Sequence, residues 1–435
     1  MFTFICICIG TKYKKIINFE IGEKQMENLE IMIEKYAELA VKIGVNLQKE
    51  QMLVVSAPII AADFIRKVTK KAYEAGARNV YVDWYDEEIT LIKYMNASGE
   101  AFKEYPMWRA RGYEEMAKDG AAFLSISASN PDLLKDVNPE KIATSNKTAA
   151  IAMEEYRKYA QSGKISWGIV SVPTEAWAAK VFPELSGEES VEKLWKNIFK
   201  VTRVDMENPV QAWKDHIESL KSKMEYLNNK RFKRLRYKAS GTDLTVELPD
   251  NHLWIGGGLT NEKGVYFIPN MPTEEVFTAP LKNGVNGVLS STKPLNYGGT
   301  IIDNFKLTFE NGRIIDFTAE KGYDTLKKLI ETDEGSHYLG EAALVPHHSP
   351  VSDCNTIFYN TLFDENASCH FAIGAAYPLC VEGGGNMNNE ELEKNGANTS
   401  LTHVDFMIGS SEMSIDGETE DGKVEAIFIN GNWAF

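Results

Sequence analysis

A histidine and an aspartate two positions apart are the residues in this sequence whose spacing most directly suggests chemistry. His403 and Asp405 lie in the run LTHVDFM, which has the character of a β-strand. Side chains at positions i and i+2 of a strand project from the same face, so both could bind one metal ion. An ordinary strand with a hydrogen-bonded His–Asp pair gives the same pattern, and both interpretations stay open at this point.

Three further side chains of the second half could join such a site. His370 stands among hydrophobic residues, Glu275 follows a Pro-Thr turn, and Glu341 precedes the hydrophobic run AALV. A buried hydrogen-bonded histidine and a solvated loop carboxylate are structural alternatives for the first two. A buried carboxylate, as predicted for Glu341, needs a cation or hydrogen-bond partners. Imidazole and carboxylate without thiolate suit a catalytic zinc, cobalt or manganese ion better than a structural zinc.

The first half of the sequence predicts an alternation of helices and buried strands. Helical hydrophobic spacing covers residues 27–43 and 59–75. Short hydrophobic strands are predicted at residues 53–55, 79–84, 121–128 and 165–172. This order of elements forms βαβ units and predicts an α/β domain with a largely parallel sheet. The turn after the first strand reads SAP and lacks a GxGxxG motif, which argues against a nucleotide-binding regulatory protein.

The pattern changes after a long helix that is predicted to begin at Asn208-Pro209. From residue 231 onward, short alternating runs are separated by glycine and proline, which is typical of strands joined by turns. We therefore predict an α/β domain at residues 26–230 and a mainly β (α+β) metal-binding domain at residues 231–435. The triplet Gly256-Gly257-Gly258 is not followed by Lys-Ser/Thr, so we interpret it as a turn or a close backbone approach.

Composition argues against several classes of partner. The 435 residues carry a formal net charge of −15, which disfavours binding to nucleic acid or to an anionic membrane. The five cysteines contain no CxxC pair, so we expect a reducing, cytoplasmic location rather than a disulfide framework. Residues 1–25 place their basic residues after a short hydrophobic run, unlike a signal peptide. We interpret them as an N-terminal extension upstream of Met26, with a buried edge strand as the alternative.

Four motifs of the second half occur in a characteristic order: PTEEVFTAP, GEAALVP, TLFDENASCHFAIGAAYP and HVDFMIGS. The first half contains SAPIIAADFIRKVTKKAYEAGARNVYVDW. Together these segments resemble the thermophilic-type metallo-aminopeptidases of peptidase family M29, from about Met26 to Phe435. The resemblance implies a hydrolase that removes the N-terminal residue from peptides with a free N-terminus. It also implies a homodimer whose active sites face an internal cavity.

The resemblance further implies a site for two divalent metal ions, with cobalt, zinc, manganese and magnesium as candidates. Matched motif by motif, the implied metal ligands are Glu275, Glu341, His370, His403 and Asp405. Glu341 is the implied bridging carboxylate, and Tyr377 is the implied tyrosine that stabilises an oxyanion or binds a metal. Glu274 and Glu365 are both candidates for the general base, chosen by residue type and proximity in sequence.

Two alternative functions share these features. A two-metal amidase or dipeptidase that acts on non-peptide amides would need the same ligands. A non-catalytic binding protein could keep the fold and lose part of the site. No position of the four motifs is lost in this sequence, which argues against the second alternative.

Overall fold

The computed structural model describes residues 28–128 and 130–435, so the extension predicted at residues 1–25 lies outside the described residues. The helices of the first half are α1 (residues 28–39), α2 (Ala62–Glu74), α3 (Glu87–Asn96), α4 (Met107–Lys118), α5 (Pro139–Ala152), α6 (Glu154–Gln161), α7 (Glu175–Val181), α8 (Gly187–Val201) and α9 (Pro209–Lys230). No helix of the described residues is long and hydrophobic enough to cross a membrane.

The strands of the first half form one parallel sheet. They are β1 (Met52–Pro58), β2 (Asn79–Tyr85), β3 (Ala122–Ser127) and β4 (Trp167–Ser171), in the order β2-β1-β3-β4. The central strand β1 buries Leu53, Val54 and Val55 on consecutive positions, because helices cover both faces of a parallel sheet. The predicted α/β domain with a parallel sheet is therefore confirmed.

The structure refines the start of one predicted helix, and capping explains the start of another. The helix predicted at residues 59–75 begins with a 3₁₀ turn, Ile59–Ala61, and continues as α2. Helix α9 begins as predicted, because the Asn208 side chain accepts a hydrogen bond from the Gln211 amide and Pro209 occupies the first turn. It ends at Lys230, because the next residue, Arg231, has a left-handed backbone (φ 49°) that cannot continue the helix.

The second half is dominated by antiparallel strands. The strands are β5 (Arg234–Ala239), β6 (Thr242–Glu247), β7 (Ile255–Gly256), β8 (Leu259–Thr260), β9 (Tyr266–Phe267), β10 (Val276–Thr278), β11 (Val285–Ser290), β12 (Leu295–Tyr297), β13 (Thr300–Glu310), β14 (Arg313–Lys321), β15 (Leu339–Leu344), β16 (His370–Gly374), β17 (His403–Met407), β18 (Ser414–Glu418), β19 (Val424–Ile429) and β20 (Asn432–Trp433). The larger sheet has the order β12-β13-β11-β6-β5-β18-β19-β20, with β14 on β13, and the smaller sheet has the order β17-β16-β15-β10-β7. Strands β8 and β9 pair with each other in a separate two-stranded sheet. Three helices join them: α10 (Tyr323–Ile330), α11 (Thr361–Asp364) and α12 (Asn389–Lys394). The predicted mainly β second half is confirmed.

The two halves share a hydrophobic core and a backbone connection. Met271, Phe358 and Phe363 of the second half are buried in the same hydrophobic cluster as the strands and helices of the first half. The Ile169 amide of β4 donates to the Pro269 carbonyl (2.7 Å), and the Met271 amide donates to the Ile169 carbonyl (3.1 Å). The segment that leads to Glu275 therefore extends the parallel sheet at its β4 edge.

Candidate metal centre

Strand register brings the predicted ligands to one face of the smaller sheet. Strand β16 lies between β15 and β17. Its residue Ala372 lies opposite Glu341 of β15 on one side and opposite Asp405 of β17 on the other. Residues directly opposite each other share a face, and so do residues two apart on one strand. His370 is two positions before Ala372, and His403 is two positions before Asp405. Both imidazoles therefore project to the same side as Glu341 and Asp405. Glu275 immediately precedes β10, the next strand of the sheet.

Glu341 lies between the two imidazoles. Its Oε1 is 3.5 Å from His370 Nε2, and its Oε2 is 3.5 Å from His403 Nε2. His370 Nε2 is also 3.1 Å from Glu275 Oε2, and His403 Nε2 is 3.3 Å from Asp405 Oδ1. Two groups of three side chains result, one with Glu275 and His370 and one with His403 and Asp405, and Glu341 belongs to both.

Hydrogen bonds to the backbone fix the direction of both imidazoles. His370 Nδ1 is 3.1 Å from the Ser368 carbonyl oxygen, and His403 Nδ1 is 2.7 Å from the Ala375 carbonyl oxygen. A carbonyl oxygen only accepts, so each Nδ1 carries a proton and donates it. With the proton on Nδ1, each ring presents its Nε2 atom as the one that could bind a metal, which is the usual arrangement around metal-binding histidines.

The cavity in front of these residues concentrates negative charge. Its lining includes four carboxylates, those of Glu275, Glu341, Glu365 and Asp405. Burial, together with the neighbouring carboxylates Asp405 and Glu275, raises the pKa of Glu365 well above its usual value. Burial also raises the pKa of Glu275, although His370 acts in the opposite direction. Carboxylates crowded in this way need bound cations or protons.

The imidazoles respond to the same charge. Burial acts to lower the pKa of His370, but Glu275 and Glu341 outweigh it and raise this pKa well above its usual range. The pKa of His403 is likewise raised against the effect of burial, by Asp405 and Glu341. Positive charge is therefore stabilised at both Nε2 positions, where a divalent cation would supply it in place of a proton.

One atom of the cluster indicates directly that a partner fits there. Asp405 Oδ1 is buried without a hydrogen-bond partner, and its 3.3 Å contact with His403 Nε2 joins it to another group that can act as a ligand. A buried unpaired carboxylate oxygen is costly unless a cation binds it. Oxygen and nitrogen donors without thiolate match a catalytic divalent metal, so the residues present fit such an ion.

The remaining predicted residues lie in two different environments. Glu365 and Tyr377 both line the cavity, and the Tyr377 ring lies 4.9 Å from the His403 ring in an edge-on contact. Burial raises the pKa of Tyr377 well above 10, so its hydroxyl keeps its proton and can donate it in a hydrogen bond. Glu274, in contrast, is not among the residues that line this cavity.

Glu274 is adjacent to Glu275, but other contacts hold its side chain away from the cavity. Arg203, in the connection between α8 and α9, donates to both of its carboxylate oxygens (2.7 and 3.0 Å). His216 donates from Nε2 to the Thr273 carbonyl oxygen (2.7 Å), and the Glu274 amide donates to Asn366 Oδ1 (2.7 Å). The residues just before Glu275 are thus fixed by side chains from α9, from the α8–α9 connection and from the segment that carries Glu365.

Several residues that line the cavity were not predicted from the sequence as site residues. Trp167 reaches it from β4, and Asn270 contributes a side-chain oxygen that is buried without a partner. The triplet Gly256–Gly258, interpreted from the sequence as a turn or a close approach, also lines it. A Cβ on Gly258 would lie 2.6 Å from the Phe267 carbonyl oxygen, which confirms the close approach. The position of Asn270, two residues before the PTEE motif, was a signal that could have identified it.

The fold and this arrangement of ligands define a protein with a catalytic type of metal site, and comparison with known proteins specifies which kind. The model of the family described as thermophilic metalloprotease (M29) matches residues 29–433. The chain is 57% identical over 410 residues to aminopeptidase 2 of Geobacillus stearothermophilus, covering 94% of this chain and 99% of that protein. It is 58% identical over 410 residues to aminopeptidase AmpS of Bacillus subtilis, covering 94% of this chain and all of that protein.

The solved structures agree with these matches. The chain superimposes on wild-type AmpT from Thermus thermophilus with a TM-score of 0.87 and 41% identity, over 93% of this chain and 100% of that chain. The chain belongs to the thermophilic metalloprotease family M29, as the motifs had indicated. It is an enzyme of the metallo-aminopeptidase class, a hydrolase that depends on divalent metal.

Proposed function

We propose that this enzyme removes single N-terminal residues from peptides with a free N-terminus by means of two divalent metal ions. The proposed ligands are Glu275, Glu341, His370, His403 and Asp405. The position of Glu341 carries the proposal, because its two oxygens each lie 3.5 Å from a different imidazole. A carboxylate that belongs to both three-ligand groups is suited to bridge two ions.

The ligand set limits which metals are candidates. Two imidazoles and three carboxylates accept zinc, cobalt, manganese or magnesium, and the absence of a thiolate among them disfavours softer metals. Divalent cations held there would lower the pKa of a water molecule and polarise a peptide carbonyl. The protein side chains must then accept a proton, bind the oxygen that becomes negative, and hold the substrate amine.

We assign proton transfer to Glu365 rather than to Glu274. Glu365 lines the cavity, and burial together with Asp405 and Glu275 raises its pKa, which supports a role as the group that accepts a proton. Both carboxylate oxygens of Glu274 accept hydrogen bonds from Arg203, and Glu274 does not line the cavity, so it is not in position to receive a proton there. Tyr377, protonated and beside His403, would donate from its hydroxyl to the developing oxyanion.

The oligomer and its location complete the proposal. Exposed hydrophobic side chains of the first half concentrate on α3 and the start of α4, where Ile89, Ile92, Met95 and Trp108 are 55–74% exposed. Hydrophobic surface of this kind marks interaction sites and supports a homodimer. Light scattering tests this through a mass near twice the 48.8 kDa of the chain.

The free cysteines Cys354, Cys369 and Cys380 support a reducing, cytoplasmic location.

The experiment that tests the function measures free amino acid released from an unblocked leucyl peptide. Metal-free protein would be compared with protein given cobalt, zinc, manganese or magnesium, and the N-acetylated peptide would serve as the control substrate. Activity that returns with metal and only on the unblocked peptide is the expected result. Cleavage of the N-acetylated peptide would indicate an amidase, and no cleavage with any metal would contradict the proposal.

A further inference from the structure

The cavity in front of the metal centre has a hydrophobic wall. The hydrophobic residues of this wall are Trp167, Ile255, Leu259, Pro269, Phe277 and Leu379. They come from both halves of the chain, with Trp167 on β4 and Phe277 on β10. Among the described residues that line the cavity there is no lysine or arginine, so its charged side chains are carboxylates and imidazoles of the metal centre. The wall thus offers hydrophobic contact and no cation.

This wall is continuous with the metal centre. Phe277 lies opposite Ile255 in the pairing of β10 with β7. The ring of Tyr377 is 5.7 Å from that of Phe277 and 4.9 Å from that of His403. A group that contacts Phe277 is therefore separated from the imidazole of His403 by a single aromatic ring. A substrate residue next to the scissile bond would lie at a similar distance from the metal centre.

Trp167 is held firmly in the wall. Its indole Nε1 donates to the Ala160 carbonyl oxygen at 3.1 Å, which fixes the plane of the ring. Its backbone pairs with Phe123 in the parallel sheet. Two residues later, Ile169 forms the hydrogen bonds to Pro269 and Met271 that connect β4 to the ligand-bearing loop. The first half therefore contributes a rigid aromatic surface to a site whose proposed metal ligands all come from the second half.

We propose that this wall is the subsite for the side chain of the substrate's N-terminal residue, and that Trp167 is a specificity-determining residue that favours hydrophobic side chains. The inference rests on the proposed aminopeptidase function. A hydrophobic side chain against the wall loses contact with water and gains contact with the indole. An acidic side chain placed against the wall would lose its water and find no lysine or arginine among the described lining residues, so its charge would be left without a partner there.

The test compares kcat/KM for peptides that differ only in the N-terminal residue, X-Ala-Ala with X as Leu, Phe, Ala, Gly, Asp or Lys. The variants are Trp167→Ala and Trp167→Phe, with Tyr323→Ala as control, since Tyr323 is 46% exposed on α10 and lies outside the wall. Thermal melting of each variant, followed by circular dichroism, tests whether it remains folded at the assay temperature, and Trp167→Phe keeps an aromatic ring if Trp167→Ala does not fold. Bound metal is measured in each variant so that occupancy is matched.

For the unmodified enzyme, we expect leucyl and phenylalanyl peptides to exceed glycyl and aspartyl peptides by at least about 10-fold. Trp167→Ala should reduce the leucyl-to-glycyl ratio by about 10-fold, while Trp167→Phe and Tyr323→Ala keep it. Equal rates across the series in the unmodified enzyme would overturn the subsite and leave the aminopeptidase function intact. An unchanged ratio in Trp167→Ala would overturn the role of Trp167. Failure to cleave any unblocked peptide would overturn the proposed function, and the inference with it.

Discussion

At the scale of single residues, the position of one carboxylate explains the organisation of the centre. Glu341 is 4% exposed, lies between two imidazoles, and belongs to both three-ligand groups. Each imidazole is held by a hydrogen bond from its other nitrogen to a backbone carbonyl, so neither ring can rotate away without losing that bond. The cluster is preorganised by the backbone around Glu341.

Replacement of Glu341 by glutamine should abolish turnover and leave the far-ultraviolet circular dichroism unchanged. The amide keeps the shape of the side chain but removes its negative charge and replaces one acceptor oxygen by a donor, so it cannot serve two cations. The matched control is Glu310→Gln, since Glu310 is an exposed residue at the end of β13. Near-normal activity of Glu341→Gln would rule out the bridging role.

Replacement of Glu274 by glutamine should weaken metal binding although Glu274 itself does not line the cavity. The buried pair of Glu274 with Arg203 fixes the residue before the proposed ligand Glu275, and a neutral amide cannot accept both hydrogen bonds from the guanidinium. Loss of such a supporting contact costs about 10- to 100-fold in metal affinity. Calorimetric titration of metal-free protein measures this directly.

Glu418→Gln provides the comparison for that experiment, because Glu418 also pairs with arginines, Arg234 and Arg236, on strands of the larger sheet. It should leave metal affinity unchanged. If Glu274→Gln lowered only the melting temperature and not the affinity for metal, the pair would be a structural contact without influence on the centre.

At the scale of elements, a β-bulge aims Glu341. The pairing of β15 with β16 shifts in register between Leu339 and Glu341, and Gly340 lies at the shift. A bulge changes the direction in which the following side chains project. Gly340 also lets the two strands approach closely, since a Cβ at this position would lie 2.2 Å from the Ala375 carbonyl oxygen.

Replacement of Gly340 by alanine should therefore destabilise the fold and weaken metal binding together. We expect a loss of about 1–3 kcal/mol in the free energy of unfolding, because the backbone atoms in the way belong to a packed strand end. Chemical denaturation and metal titration measure the two effects. Gly112→Ala in α4, where a Cβ meets nothing within 4 Å, should instead stabilise by about 0.5–1 kcal/mol. Unchanged metal affinity in Gly340→Ala would show that the bulge does not influence metal binding.

At the scale of the whole molecule, the two halves are joined more closely than their different architectures suggest. We propose residues 26–230 and 231–435 as the two domains, with the boundary at the end of α9. The hydrophobic core of the first domain nevertheless includes side chains from the second, and Pro269 and Met271 of the second domain pair with β4 of the first. Trp167 of the first domain lines the cavity of the second.

Thermal unfolding of the metal-free chain should accordingly show a single transition. A shared core and a shared sheet edge mean that neither domain can unfold without exposing hydrophobic surface of the other. Far-ultraviolet circular dichroism and tryptophan fluorescence should give the same midpoint. Two separated midpoints would show that the domains unfold independently.

The sequence by itself determined the family, the fold class and which residues to examine. Hydrophobic spacing reports local structure, because periods of two and 3.6 residues follow from backbone geometry alone. The helices and parallel strands of the first half were confirmed for this reason. The motifs named Glu275, Glu341, His370, His403 and Asp405 together, and strand register gathers their side chains in one cavity.

Only the tertiary structure distinguishes the positions of Glu274 and Glu365, the two candidates for the general base. Glu274 is adjacent to Glu275 in sequence, but neighbouring side chains of an extended segment project to opposite sides, and Arg203 holds it there. Glu365, ninety residues away from Glu275, reaches the cavity. The position of Trp167 in the cavity wall and the bulge at Gly340 likewise depend on contacts between distant segments, which no local period encodes. Local pattern therefore specified the parts of this enzyme, and long-range packing specified which side chains meet.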